Sequence, residues 1–149
     1  MKMKPKVHVA LISLIDKKIN ELTKVLNEAI EATSSDSKSS AGDKHETGVA
    51  MAQLEQEKLS KQLNELLIQK NQIKSLNPEI VHLKIGLGSL VETNIGWYYL
   101  TVGLGLIEIE NKTIFALNPA APLGKSMVGK SPGDFVLFNN RNFEILSVE

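Results

Sequence analysis

Apolar residues recur at alternating steps of three and four through the first half of the chain. One seam runs through Ile12, Ile15, Ile19, Leu22, Leu26, Ala29 and Thr33. It is apolar until Thr33 closes it. Such steps keep residues on one face of a helix wound against a partner. Glu21, Lys24, Asn27 and Glu28 fall off the seam, as solvent-facing positions should. A second run reads Ala52, Gln56, Leu59, Leu63, Leu66, Lys70 and Ile73. Gln56 and Lys70 put polar groups on this seam, and Leu54 and Leu67 broaden its apolar face. Between the runs, residues 33–42 are Ser-rich and carry no periodic apolar residue, which predicts a mobile loop. Two helices joined by one loop pack most simply antiparallel. A helix of about 28 residues is about 42 Å long. The pattern therefore predicts a rod whose loop end projects from the rest of the protein.

Asn77-Pro78 ends the second helix and marks a domain boundary. The period then changes to that of strands. Candidates are residues 80–85, 89–93, 97–102, 106–109, 113–117, 134–138 and 142–148. Turn signals separate them at Asn94-Ile95-Gly96, Glu110-Asn111-Lys112 and Asn139-Asn140. Residues 120–128 predict a short helix between strands. The expected architecture is α+β. Residues 1–77 form an antiparallel two-helix coiled coil with an acidic tip at about residues 34–48. Residues 78–149 form a small domain with an antiparallel sheet.

Composition narrows the function classes. The 149 residues hold 17 basic against 17 acidic side chains, so no polycation drives nonspecific nucleic-acid binding. Lys2, Lys4 and Lys6 read as a solvated end. There is no cysteine, which excludes disulfides, Cys-zinc sites and thiol catalysis. The N-terminal apolar segment is broken by His8 and Ser13, ends at Asp16, and is followed by no small-residue cleavage site. No run approaches the roughly 18–20 apolar residues of a membrane span. The expectation is a cytoplasmic protein without membrane contact.

Asp43 and Glu46 are the candidate chemistry. An Asp followed three residues later by Glu suits a capping box that starts the second helix. Two carboxylates at an exposed tip also suit a Mg²⁺ already partly coordinated by another protein. The spacing alone leaves both readings open. His45, between the acids, has no second His near it in sequence. Residues 124–131 match the phosphate-loop pattern letter for letter, Gly124-Lys125-Ser126-Met127-Val128-Gly129-Lys130-Ser131. That loop needs a helix opening at its Lys-Ser, and Pro132-Gly133-Asp134 follows at once, so nucleotide binding is rejected. Trp97, Tyr98 and Tyr99 are consecutive and alternate faces of a strand.

Two segments carry a family resemblance. Gly42-Asp43-Lys44-His45-Glu46 resembles the acidic tip of the GreA/GreB transcript-cleavage factors, with both acids in register. Ala121-Pro122-Leu123-Gly124-Lys125-Ser126-Met127-Val128-Gly129-Lys130, then Gly133-Asp134, resembles that family's C-terminal segment. The Ser-Ser-Ala-Gly-Asp-Lys-His-Glu-Thr-Gly form of the tip looks like a Gre-like branch of Bacteroidetes-type bacteria. The resemblance implies a coiled coil followed by an FKBP-like domain. It implies a monomeric transcription elongation factor that binds RNA polymerase through its secondary channel, without sequence-specific DNA binding. Asp43 and Glu46 would assist the polymerase's catalytic Mg²⁺ in cleaving backtracked RNA. The factor would have no cofactor of its own and would not itself be an enzyme. Pro122, Leu123, Gly124, Lys125, Gly129 and Lys130 would face the partner. Thr47-Gly48 after the second acid, a longer Ser-rich loop before the first, and Ala121 depart from the family pattern. Competing expectations are a channel-occupying inhibitor, a coiled-coil adaptor, and an FKBP-like binding module or prolyl isomerase.

Overall fold

The computed structural model describes the backbone of residues 2–36 and 42–149, and side chains over 2–33 and 46–149. Helix α1 (Lys4–Asp36) and helix α2 (Gly42–Lys74) are followed by six strands and one short helix. The strands are β1 (Leu90–Thr93), β2 (Gly96–Leu100), β3 (Gly105–Ile109), β4 (Lys112–Leu117), β5 (Phe135–Phe138) and β6 (Arg141–Val148). Helix α3 (Pro122–Met127) lies between β4 and β5 in sequence. The class is α+β.

The chain divides into two compact units. One is Leu14–Lys70, and the other joins Met1–Ser13 to Asn71–Glu149. The division thus falls away from the boundary expected at residue 78, because the first turns of α1 pack with the sheet.

Within Leu14–Lys70 the helices run antiparallel. Asp16 pairs with Lys70 at 2.6 Å near one end, and Ala29 and Thr33 meet Gln56 toward the other. All fourteen predicted seam positions are half-buried or buried, whereas most positions between them are exposed. Leu54 and Leu67 do not join the seam; they are 65% and 43% exposed. The Ser-rich stretch also differs from expectation at its start, since α1 continues to Asp36. The loop expected over the rest of it, at positions 37–41, lies outside the described residues.

The sheet of the second unit has the order β3-β4-β2-β1-β6-β5. It is not wholly antiparallel as expected, because β2 and β4 pair in parallel, Trp97 opposite Ile114 through Leu100 opposite Leu117. Strand β3 folds back on β4 from the far side, and that placement lets β4 run beside β2. Two-residue turns close β3–β4 and β5–β6. Glu110 and Asn111 have φ of 49° and 62°, and Asn139 and Asn140 repeat those values. Both central residues at positive φ match the right-handed twist of a hairpin. Residues 80–85, expected as a strand, form none. Ile80, Val81 and Leu83 are instead exposed.

Alternation along the strands sends side chains to two cores. Val91, Leu100, Leu117, Met127, Val136, Phe143 and Ile145 cluster with Ile85 on one face. Tyr98 packs there, stacked on Phe143 and edge-on to Phe115. Tyr99 points to the opposite face, fully buried, where its hydroxyl meets His8 Nδ1 of α1 at 2.8 Å. Lys4 is also buried, its ammonium donating to the Ile80 carbonyl. It is therefore not the solvated end expected from the sequence.

One group of this unit is poorly served. The Thr101 hydroxyl is buried without a hydrogen-bond partner among the described residues. Its backbone N–H donates to the Leu117 carbonyl and would do so in any residue. Thr101→Val keeps the shape and removes the unpaired polar atom. It is expected to raise unfolding stability by about 1 kcal/mol, read from denaturant melts.

Candidate functional site

The candidate site begins α2. The backbone is helical from Gly42, the first described residue of α2, so Asp43 lies past the cap position of the capping-box reading. Its side chain, with those of Lys44 and His45, lies outside the described residues. Positions 43 and 46 are three apart on one continuous helix, so they stand on the same side of it. Glu46 is exposed, as are Thr47 and Gly48. Carboxylates in a first turn suit the positive end of the helix dipole.

The register of the hairpin determines what lies beside these acids. Gln56 Nε2 donates to Thr33 Oγ1 at 2.6 Å and to the Ala29 carbonyl at 3.3 Å. With Asp16 paired to Lys70, this sets Leu26 level with Leu59 and Asp36 level with Val49. Positions 43 and 46 lie N-terminal to that level on α2, and residues 37–41, which join the two helices, lie outside the described residues.

Two carboxylates alone are too few for a metal that takes six or more oxygen ligands. Among the described residues no group of three or more His, Cys, Asp or Glu could hold a metal ion. Among the described residues no helix is long and apolar enough to cross a membrane.

The second candidate segment has largely structural reasons for its residues. Pro122 opens α3, where its missing N–H costs nothing, and is exposed. Leu123 packs against the core, and Gly124 is buried. A Cβ on Gly124 would stand 2.4 Å from the Asn118 carbonyl oxygen. Gly129 has φ +86°, and its N–H donates to the Ile85 carbonyl. The Lys130 carbonyl accepts from Ile85 N. Lys125 is exposed and Lys130 half-buried. No helix opens at Lys130-Ser131, and Ser131 N donates to Asp134 Oδ2 in a local turn. The phosphate-loop spelling is thus a helix end and a turn.

Sequence reasoning missed the buried polar groups around α1. His8 is 6% exposed. Burial, with a smaller push from Lys4, holds its imidazole below the usual histidine range. Burial and Lys4 act on His82 in the same direction, and burial pushes the Tyr99 phenol up to about 12. The unfolded chain therefore binds a proton at His8 before the folded chain does. Stability contributed by neutral His8 is present above the ordinary pKa of 6.5 and is lost as pH falls through and below that value. Melting temperature is expected to drop as pH falls from 7 to 5. His8→Gln should flatten that slope, leaving the part due to His82.

No family model matches the chain, and no curated protein matches it. A solved structure described as the transcription factor Gfh1 is similar over all of this chain and 95% of that one, at 19% identity and a TM-score of 0.34. A score of that size carries no argument about function.

Proposed function

We propose that this chain is a Gre-like transcription factor that enters the secondary channel of RNA polymerase with its helical hairpin. The reading rests on one observation above the others. The acids of the Gre-like tip, Asp43 and Glu46, stand three apart on one helix at the end of the hairpin where the chain passes from α1 to α2. Carboxylates at the end of a helical hairpin can be delivered into a site on another protein. There they would complete the shell of a Mg²⁺ already held by the polymerase and help orient the attacking water. The polymerase supplies the remaining ligands and the chemistry, so the factor is an activator and no enzyme. The Gre-like spelling of residues 121–134 supports docking through the sheet-bearing unit, with Pro122 and Lys125 on its surface.

The test is transcript shortening. Complexes of the cognate polymerase, stalled on backtracked RNA, are mixed with the purified protein and Mg²⁺. Shortened RNA that can be extended again supports the reading. Slowed elongation without shortening supports a channel-occupying inhibitor instead.

A second reading is favoured by a cleft of about 370 Å³ lined by Ile95, Trp97, Tyr98, Leu106, Phe115 and Leu123. An aromatic cleft of that size suits an apolar peptide side chain. A peptide-binding or prolyl-isomerase module would catalyse or retard isomerisation of a proline peptide without any polymerase.

A further inference from the structure

The cleft lined by Trp97 and Leu106 has a neighbour. A second cleft, of about 240 Å³, is lined by Ile95, Tyr98, Leu123, Phe138, Phe143 and Arg141. Ile95, Tyr98 and Leu123 line both. Strand pairing explains the partition. Tyr98 lies opposite Phe115 in the parallel β2–β4 pair. Its ring meets Phe115 edge-on, with centroids 6.3 Å apart, and stacks on Phe143 at 6.2 Å. Phe115 lines the first cleft and Phe143 the second, so the half-buried Tyr98 ring is the wall between two chambers.

The chambers differ in charge. The first is lined by apolar and neutral residues alone. The second carries Arg141, at the turn that closes β5–β6. Arg141 is the one arginine among the chain's 17 basic side chains. It is exposed, and among the described residues no ion pair holds it. No described Asp or Glu lines either chamber. Burial pushes the Tyr98 phenol up and Arg141 pulls it back, so the field of the guanidinium reaches the dividing wall. A guanidinium reads a planar carboxylate through two parallel hydrogen bonds, which a lysine cannot copy.

We infer that the paired chambers bind a short extended peptide segment bearing an apolar side chain and, two residues away, a carboxylate. The apolar side chain enters the chamber of Trp97 and Leu106, and the carboxylate meets Arg141. Side chains two residues apart in an extended segment point the same way about 7 Å apart, far enough to straddle one aromatic ring. The inference rests on the peptide-binding reading given above and names its ligand class; it requires no polymerase.

Trp97 is the chain's one tryptophan, so its emission reports the first chamber in the full-length protein. The probes are acetyl-Leu-Phe-Gly-Glu-amide, the same peptide with Gln for Glu, the same with Ala for Phe, and the reversed order Glu-Gly-Phe-Leu. The Glu peptide, in one order or the other, is expected to change the emission saturably with a Kd of about 0.1–1 mM. The Gln peptide should bind about fivefold more weakly. Arg141→Gln should bring the Glu peptide down to the affinity of the Gln peptide and leave the Gln peptide unchanged. Leu106→Ala, at an exposed position, should weaken both alike. Equal affinity for the Glu and Gln peptides, or a Glu preference that survives Arg141→Gln, would overturn the carboxylate site and leave the peptide-binding reading standing. Binding indifferent to Ala in place of Phe, or to Leu106→Ala, would overturn the apolar chamber. No saturable change with any of the peptides would overturn both the inference and the reading beneath it.

Discussion

The double substitution Asp43→Ala with Glu46→Ala is expected to lower stimulated RNA cleavage by about a hundredfold or more, with polymerase binding intact. Binding and chemistry separate because different parts of the chain supply them. Glu46 is exposed, and the segment proposed to dock, residues 121–134, is far from both acids in sequence, so the substitutions leave the docking surface unchanged. Alanine is also the best helix former, which keeps the first turn helical. The measurement is the single-turnover cleavage rate at saturating factor, beside a competition assay for the channel. The single variant Glu46→Gln, which keeps shape and removes charge, should lose most of the rate as well. Equal cleavage by wild type and double variant would mean that the acids only complement the helix dipole. The whole case for delivery into the polymerase would then fail.

The hairpin is legible in the sequence because its pattern is a single repeated rule. Every seam position from Ile12 to Thr33 and from Ala52 to Ile73 is shielded, since a 3-4 alternation allows one helix face to be covered. Leu54 and Leu67 escape the rule because neither keeps the step, and a hydrophobic residue off the seam has nothing to pack on. The polar seam residues are irregularities on their own helix. Their meaning needs the partner helix, because a glutamine at a seam position is a flaw until an acceptor faces it. The hairpin turns at Glu110-Asn111 and Asn139-Asn140 are legible too, since positive φ favours particular residues. The parallel β2–β4 pair is not, because strand order depends on contacts remote in sequence. Residues 80–85 show the opposite failure. Ile80, Val81 and Leu83 have strand composition, yet no edge pairs with them.

The buried end of α1 is hidden for a different reason. Lysines near a terminus are ordinarily solvated, and His8 interrupts the apolar run. Their burial follows from Val7 and Leu11, which are fully buried and carry Lys4 and His8 in with them. Asp43 and Glu46 can be picked out by spacing. Whether they cap the helix cannot, since the answer depends on where α2 begins.

Gly124→Ala is expected to destabilise the sheet-bearing unit by about 3 kcal/mol or more. The added methyl would lie 2.4 Å from the Asn118 oxygen, 2.7 Å from Pro119 Cα and 2.9 Å from Pro119 C. All three are backbone atoms, so no rotamer change relieves the contact. Either α3 lifts, which uncovers Met127 and Leu123 from the core, or the turn at residues 118–121 opens. Opening that turn would break the bond from Ala121 N to the Asn118 carbonyl and the one from Ala120 N to Asn118 Oδ1. Gly129→Ala makes the useful comparison. It has open space for the methyl but a φ of +86°, so its cost is backbone strain alone, about 1–2 kcal/mol. Denaturant melts should therefore rank wild type above Gly129→Ala, and Gly129→Ala above Gly124→Ala. Both glycines belong to the unit that carries the sheet. A Gly124→Ala protein as stable as wild type would show that the close approach of α3 to residues 118 and 119 does not require glycine.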